Sequence, residues 1–178
     1  MSSPPSALLQ VRRASAADWP RIWPIWHAVV ARGDTYTWAP DTDQATAQAL
    51  WLPPEPARTY LAVADGDRVV GTALLKPNQP GLGDHVANAA FMVDPAARGR
   101  GFGRALAQHV LAEARAQGYR AMQFNAVVST NTAAVRLWRS LGFTILGTVP
   151  AGFRHPEHGL VDLHIMHRWL TDSPKEAR

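Results

Sequence analysis

Apolar residues recur along the chain in two rhythms, one of period two and one near 3.6, and together they predict an alternating α/β order. Residues 8–13 read as a first strand. After Asp18, the positions Trp19, Ile22, Trp23, Trp26 and Val29 fall at helical spacing, with Pro20 suited to a first turn. Pro24 lies inside that stretch and is expected to kink or interrupt the helix. A loop through Thr35, Tyr36, Thr37 and Trp38 follows, then a helix over about 42–52, stopped by Pro53 and Pro54. Residues 60–64 and 69–75 flank Asp65-Gly66-Asp67, a hairpin signal. A Pro/Gly-rich stretch, 77–83, leads to a strand over about 86–93. Beyond it come a helix over 101–117 ended by Gly118, a strand over 119–128 and a helix over 131–141 stopped by Gly142. A strand over 143–149, a polar loop and a last strand over 160–169 complete the order. The pattern is that of one α/β domain over residues 8–170, with a mixed sheet of about seven strands and about four covering helices. Residues 1–7 and 171–178 read as flexible tails.

Composition narrows the classes of function. A chain of 178 residues suits a single core. No run of eighteen apolar residues exists, and the Ser/Pro-rich start has no apolar segment of a secretory signal, so a cytoplasmic location is expected. The absence of cysteine removes disulfides, thiolate zinc sites and a cysteine nucleophile. The formal charge is +4, but the only lysines are Lys76 and Lys175, and the densest arginine group is Arg98, Arg100 and Arg104. Such a distribution fits a small anion better than a nucleic acid duplex or a membrane surface.

That arginine group lies in the segment from Val93 to Leu106, where Pro95 ends a strand and Gly99, Gly101 and Gly103 alternate at the mouth of a helix. Glycines there let the backbone turn tightly and present its N–H groups, and a helix start favours an anion. Arginines add forked donors suited to a diphosphate. A P-loop would require Lys-Ser/Thr after the last glycine, yet Gly103 is followed by Arg104-Ala105. A G-x-G-x-x-G dinucleotide loop fails in both registers, ending on Arg104 or Leu106. What remains is R-x-x-G-x-G, met by Arg98, Gly101 and Gly103. A glycine-rich connector without a ligand is the alternative for the loop taken alone.

A second motif follows one strand later. In Asn131-Thr132-Ala133-Ala134-Val135-Arg136-Leu137-Trp138-Arg139-Ser140-Leu141-Gly142-Phe143, the residues Ala134, Leu137, Trp138 and Leu141 form one apolar helical face. By periodicity this is a core helix. Set after the glycine loop, the pattern N-x-x-A-x-x-L-(aromatic)-x-x-L-G-F resembles the second signature of the GNAT (Gcn5-related N-acetyltransferase) superfamily, and the glycine loop resembles its first. The resemblance implies a sheet splayed in the middle and acetyl-CoA as co-substrate. It places the pantetheine arm along Phe91, Met92 and Val93, and the pyrophosphate on Arg98, Gly99, Arg100, Gly101, Phe102, Gly103 and Arg104. Asn131 and Trp138 would lie beside the cofactor arm. A backbone N–H at Phe91 or Met92 would polarise the thioester carbonyl. Homodimers are common in the family.

The usual acid and base are missing. The family's helix tyrosine is here Trp138, whose indole cannot give up a proton, and the glutamate of N-terminal acetyltransferases is here Ala126. Asn125 is the polar candidate on that strand. With regular alternation, Met122, Phe124 and Ala126 face one way, while Gln123, Asn125 and Val127 face the other. The stretch 124–131 resembles the fungal azetidine-2-carboxylate acetyltransferases and their bacterial relatives, which would put Asn125 beside the acceptor. A purely structural asparagine is the alternative. His85 and Asn88 are candidates for a water relay or simply a loop edge, and Tyr36, Thr37 and Trp38 for the wall of the acceptor pocket. Arg154 and His155 are candidates for a substrate carboxylate or a solvated loop. His164 and His167, three apart in a strand, point to opposite faces and no His-Glu-x-x-His occurs, so no metal is expected. The combined expectation is direct transfer of acetyl to the nitrogen of a small molecule, an amino or cyclic imino acid first and a phosphinothricin-like amine or a polyamine second. A non-catalytic acyl-CoA sensor on the same fold is the alternative.

Overall fold

The computed structural model describes residues 9–172. The tail expected at 1–7, residues 173–178 of the tail expected at 171–178, and Leu8 of the expected first strand lie outside the described residues.

Seven strands form one sheet: β1 (Gln10–Arg13), β2 (Arg58–Ala64), β3 (Arg68–Pro77), β4 (Val86–Val93), β5 (Ala121–Val128), β6 (Thr144–His155) and β7 (Gly159–Trp169). Their order is β1-β2-β3-β4-β5-β7-β6, antiparallel except for the parallel pair β4–β5. Four helices cover the sheet: α1 (Trp19–Val30), α2 (Gln44–Trp51), α3 (Phe102–Ala116) and α4 (Thr132–Ser140). On one face, β-strand residues such as Ala62, Leu75 and Met122 pack with Leu106 and Val110 of α3 and Trp138 of α4. On the other, Leu61, Leu74 and Met92 pack with Ile22 and Trp26 of α1 and Trp51 of α2. The central strands β2, β3 and β4 thus divide their residues between the two cores.

Three local expectations are corrected. α1 runs unbroken through Pro24. Pro24 and Pro20 are both exposed, so the Pro20 carbonyl left without its helical N–H faces water rather than the core. The polar loop expected after residue 149 is instead the second half of β6, which continues through Pro150 and Gly152 to His155. β6 is an edge strand, where a proline costs no ladder bond, and irregular pairing between Val149 and Phe153 accommodates the positive φ of Ala151. Regular alternation in β5 fails at a bulge: Phe124 pairs with Met166 but the next pair is Val127 with His164. Val127 therefore joins Met122 and Phe124 in the same core, and Asn125 and Ala126 are left unpaired and exposed.

Candidate active site

β4 and β5 pair only at Val86–Ala121 and Ala87–Met122, then separate. At the apex of the split, Asn88 reaches across and donates from Nδ2 to the Gln123 carbonyl at 3.0 Å. Above it, β4 has a free edge. Asp94 N–H bonds back to Val70, so in the antiparallel ladder the amides of Ala90 and Met92 face β3, while those of Ala89, Phe91 and Val93 face the split. Of the two amides considered for the thioester, the Met92 N–H is thus committed to the ladder and the Phe91 N–H opens into the split. The floor between the strands is aromatic: the Phe91 ring lies 5.0 Å from Trp138 and Phe124 lies 4.7 Å from Trp138. Trp138 is 8% exposed, a packing residue of this floor.

The far end of the split meets the glycine loop. Asp94 caps a short 3-10 turn, accepting from Ala96 N–H and pairing with Arg68. Gly101 is the N-cap of α3 with φ of 82°, a left-handed conformation that other residues adopt only under strain, and no side chain caps the helix. The first intrahelical bond is Ala105 N–H to Gly101 O, so the amides of Phe102, Gly103 and Arg104 have no helical acceptor. A Cβ built on Gly99 or Gly101 meets nothing within 4 Å, so the concavity is open, whereas at Gly103 it would meet Val93 at 3.4 Å. Gly103 lets the helix approach the strand. Around this nest, Arg100 pairs with Asp65 at 3.3 Å and lies over the Phe102 ring, and Arg104 donates to Ser140. Arg98 has no ion pair among the described residues. Bare amides, a helix start and arginines fit a diphosphate, and the free β4 edge fits an amide-bearing arm. Asn131 accepts from Ala134 N–H at 3.2 Å through Oδ1, capping α4.

On the opposite face, Tyr36 reaches the β4 edge from the loop between α1 and α2. Its hydroxyl accepts from Phe91 N–H at 3.1 Å and donates to Phe91 O at 2.7 Å. The ring stacks on Trp38, with centroids 5.0 Å apart and planes within 2°. Burial holds the phenol's pKa well above its ordinary value, against a smaller opposing effect of the Phe91 backbone bond. Beside it, Asp34 Oδ1 and Thr35 Oγ1 are buried without a protein partner. Tyr36, Thr37 and Trp38 line a cleft of about 300 Å³ whose other wall is Gly152, Phe153 and Arg154 of β6. Arg154 is exposed, unpaired among the described residues and the only charged side chain of that lining. His155 takes no part: its Nδ1 accepts from the N–H groups of Glu157 and His158, fixing the turn into β7.

Asn125 stands on the β5 bulge in an amide chain. Gln123 Nε2 donates to Asn125 Oδ1 at 2.9 Å, and Asn125 Nδ2 donates to Asn78 Oδ1 at 2.7 Å. It makes no hydrogen bond to Tyr36. Asn78, from the Pro/Gly-rich stretch after β3, carries no motif and was not foreseeable as its partner. A larger cavity, about 890 Å³, lies among Pro53, Lys76, Asn78, His85 and Tyr119. It includes neither the Phe91 edge nor the start of α3, so size does not select it as the reacting centre. Among the described residues, no cluster of three metal-ligating side chains occurs and no helix is long and apolar enough to cross a membrane.

A mixed sheet split between two parallel strands, with an uncapped glycine-led helix at its open end, defines an acyl-coenzyme A-binding α/β fold. The chain belongs to the acetyltransferase (GNAT) family, which it matches over residues 19–143. It is 53% identical to a GCN5-related N-acetyltransferase from Kribbella flavida, with a TM-score of 0.87 over 90% of this chain and 97% of that one. It is 36% identical over 128 residues to N-acetyltransferase aca1 of Schizosaccharomyces pombe, covering 71% of this chain and 54% of aca1, so it spans about half of that protein's length. To the L-methionine sulfoximine/L-methionine sulfone acetyltransferase of Pseudomonas paraeruginosa it is 32% identical over 145 residues, covering 79% of this chain and 83% of that protein.

Proposed function

We propose that this protein transfers an acetyl group from acetyl-CoA to the nitrogen of a small amino or cyclic imino acid. The observation that carries the reading is the continuity of two sites. The Phe91 edge of β4, which no strand pairs and the Tyr36 hydroxyl bonds, leads to the bare amides that open α3, one suited to a thioester arm and the other to its diphosphate.

Arg98, Gly99, Arg100, Gly101, Phe102, Gly103 and Arg104 would hold the pyrophosphate, and the edge of Phe91 and Val93 the arm. Asn131 would contact the arm through the amide nitrogen left free by its capping bond. Acetyl-CoA supplies the activated acyl group, and the Phe91 N–H donates to its carbonyl oxygen. The acceptor attacks directly, because the chain has no cysteine and no activated serine motif.

The cleft supports the choice of acceptor. Its volume of about 300 Å³ suits a small molecule, and Arg154 supplies a forked cation for a carboxylate. A relative named for methionine sulfoximine and methionine sulfone, both amino acids, supports the same class, as does the likeness of residues 124–131 to azetidine-2-carboxylate acetyltransferases. Asn125 would orient the acceptor or a water and would not act as the base. Relatives matched over most of their length are acetyltransferases by name, which disfavours a non-catalytic sensor.

Thiol release from acetyl-CoA, measured with matched amines that differ only in a carboxylate, tests this reading. Azetidine-2-carboxylate against azetidine is one such pair. Stimulation by the acid alone, lost roughly tenfold or more in KM for Arg154→Ala, is the expected result, since a charged hydrogen bond contributes about 1.5–3 kcal/mol. Equal stimulation by both amines would contradict the carboxylate assignment.

A further inference from the structure

We propose that the Tyr36 phenol is a catalytic hydrogen-bond donor: it forms, with the Phe91 N–H, a two-membered oxyanion hole. The inference rests on the acetyltransferase reading above, and the role is distinct from that of the family's proton-donating helix tyrosine, whose place Trp138 takes.

Phe91 presents its N–H and C=O to the split, where no strand follows. Both groups are satisfied by one atom, the hydroxyl oxygen of a residue 55 positions away. An oxygen that shares the Phe91 N–H with the phenol is brought within hydrogen-bond reach of Oη, which stands 3.1 Å from that nitrogen. The phenol O–H then turns from the Phe91 carbonyl to the incoming oxygen. The ring is positioned for this role by its stack on Trp38, which is itself stacked on Trp26 of α1 at 5.4 Å. Tyr36 also lines the acceptor cleft, so it joins the acceptor side to the cofactor edge. Burial keeps the phenol protonated.

The step balances without ionising Tyr36. The acceptor nitrogen adds its lone pair to the thioester carbon, a C–N bond forms, and the carbonyl π pair moves onto oxygen. Phe91 N–H and Tyr36 O–H both donate to that oxygen. The pair returns as the C–S bond breaks, the thiolate leaves, and the proton lost from nitrogen passes to solvent. Tyr36 holds its proton throughout and strengthens its bond as charge develops, the condition for raising kcat rather than affinity.

Tyr36→Phe keeps the ring and its stack but removes the donor. With the acceptor found above, it should lower kcat on the order of 10²-fold, as loss of one oxyanion donor does, while the calorimetric affinity for acetyl-CoA stays within about threefold. A second readout needs no turnover. The chain has three tyrosines, so 3-fluorotyrosine labelling gives three ¹⁹F resonances. The one missing in Tyr36→Phe, or identified by elimination with Tyr60→Phe and Tyr119→Phe if that variant does not fold, should shift with acetyl-CoA more than with free CoA, which lacks the carbonyl. A kcat within threefold of wild type, a rise in KM alone, or equal shifts with the two ligands would overturn the proposal. A wild-type chain that releases no thiol with any amine would instead count against the transferase reading, and the ¹⁹F comparison would still decide the contact.

Discussion

Gly101 concentrates the residue-scale argument. Its φ of 82° and its place as the N-cap of α3 require a residue without Cβ, and the space above it is open. Gly101→Val should lower acetyl-CoA affinity at least tenfold in calorimetry, because strain and bulk fall together where backbone must meet phosphate. Unchanged affinity would remove the phosphate assignment from this loop. Asn125→Ala should reduce turnover on the order of tenfold with cofactor affinity nearly intact, through loss of an orienting amide. Unaltered turnover would make the chain Gln123–Asn125–Asn78 structural. Asp18 illustrates a residue whose role is stability. It accepts a forked pair from Arg12 at 2.6 and 2.9 Å and further bonds from Ser15. The Arg12 hydrogen bonds hold its pKa far below the ordinary carboxylate value, against a smaller rise from burial. A depressed carboxylate contributes stability above its unfolded pKa near 3.9 and loses it as pH falls below that. Asp18→Asn should therefore destabilise by about 2 kcal/mol at neutral pH and by less near pH 2, read from denaturant midpoints.

At the scale of elements, what was legible followed from short-range rules. The bounds of β4 at 86–93 were readable because a Pro/Gly stretch precedes the strand and Pro95 closes it. The face of α4 was readable from Ala134, Leu137, Trp138 and Leu141, which pack on the core below the split. Trp138→Ala should cost about 3–5 kcal/mol by opening a cavity between Phe91 and Phe124. A loss below 1 kcal/mol would show that the floor of the split is not close-packed. What was not legible depends on neighbours distant in sequence. Pro150 and Gly152 read as a loop because nothing local says that β6 is an edge strand. The bulge at Asn125 and Ala126 depends on the pairing of β5 with β7. Tyr36 reads from sequence as pocket wall, but its bond to Phe91 crosses 55 positions and leaves no periodic trace.

For the whole molecule, the two large cores hold the two proposed binding surfaces against one split sheet. The α3–α4 side presents the glycine nest, and the α1–α2 side presents the cleft proposed for the acceptor. Both border the Phe91 edge, and a ligand that binds only the folded chain stabilises the fold by mass action. Acetyl-CoA at about 100 times its Kd should stabilise the chain by ~2.7 kcal/mol, a rise in Tm on the order of 5–10 °C. No shift at such saturation would mean that the ligand binds folded and unfolded chain alike. The most direct test of the central claim follows the acetyl group itself: mass analysis of the acceptor alongside thiol release from acetyl-CoA. The account predicts one N-acetylated amino or imino acid formed for each thiol released, with no acetyl group retained on the protein. Thiol release without an acetylated acceptor, or acetylation of the chain itself as an obligatory step, would contradict direct transfer.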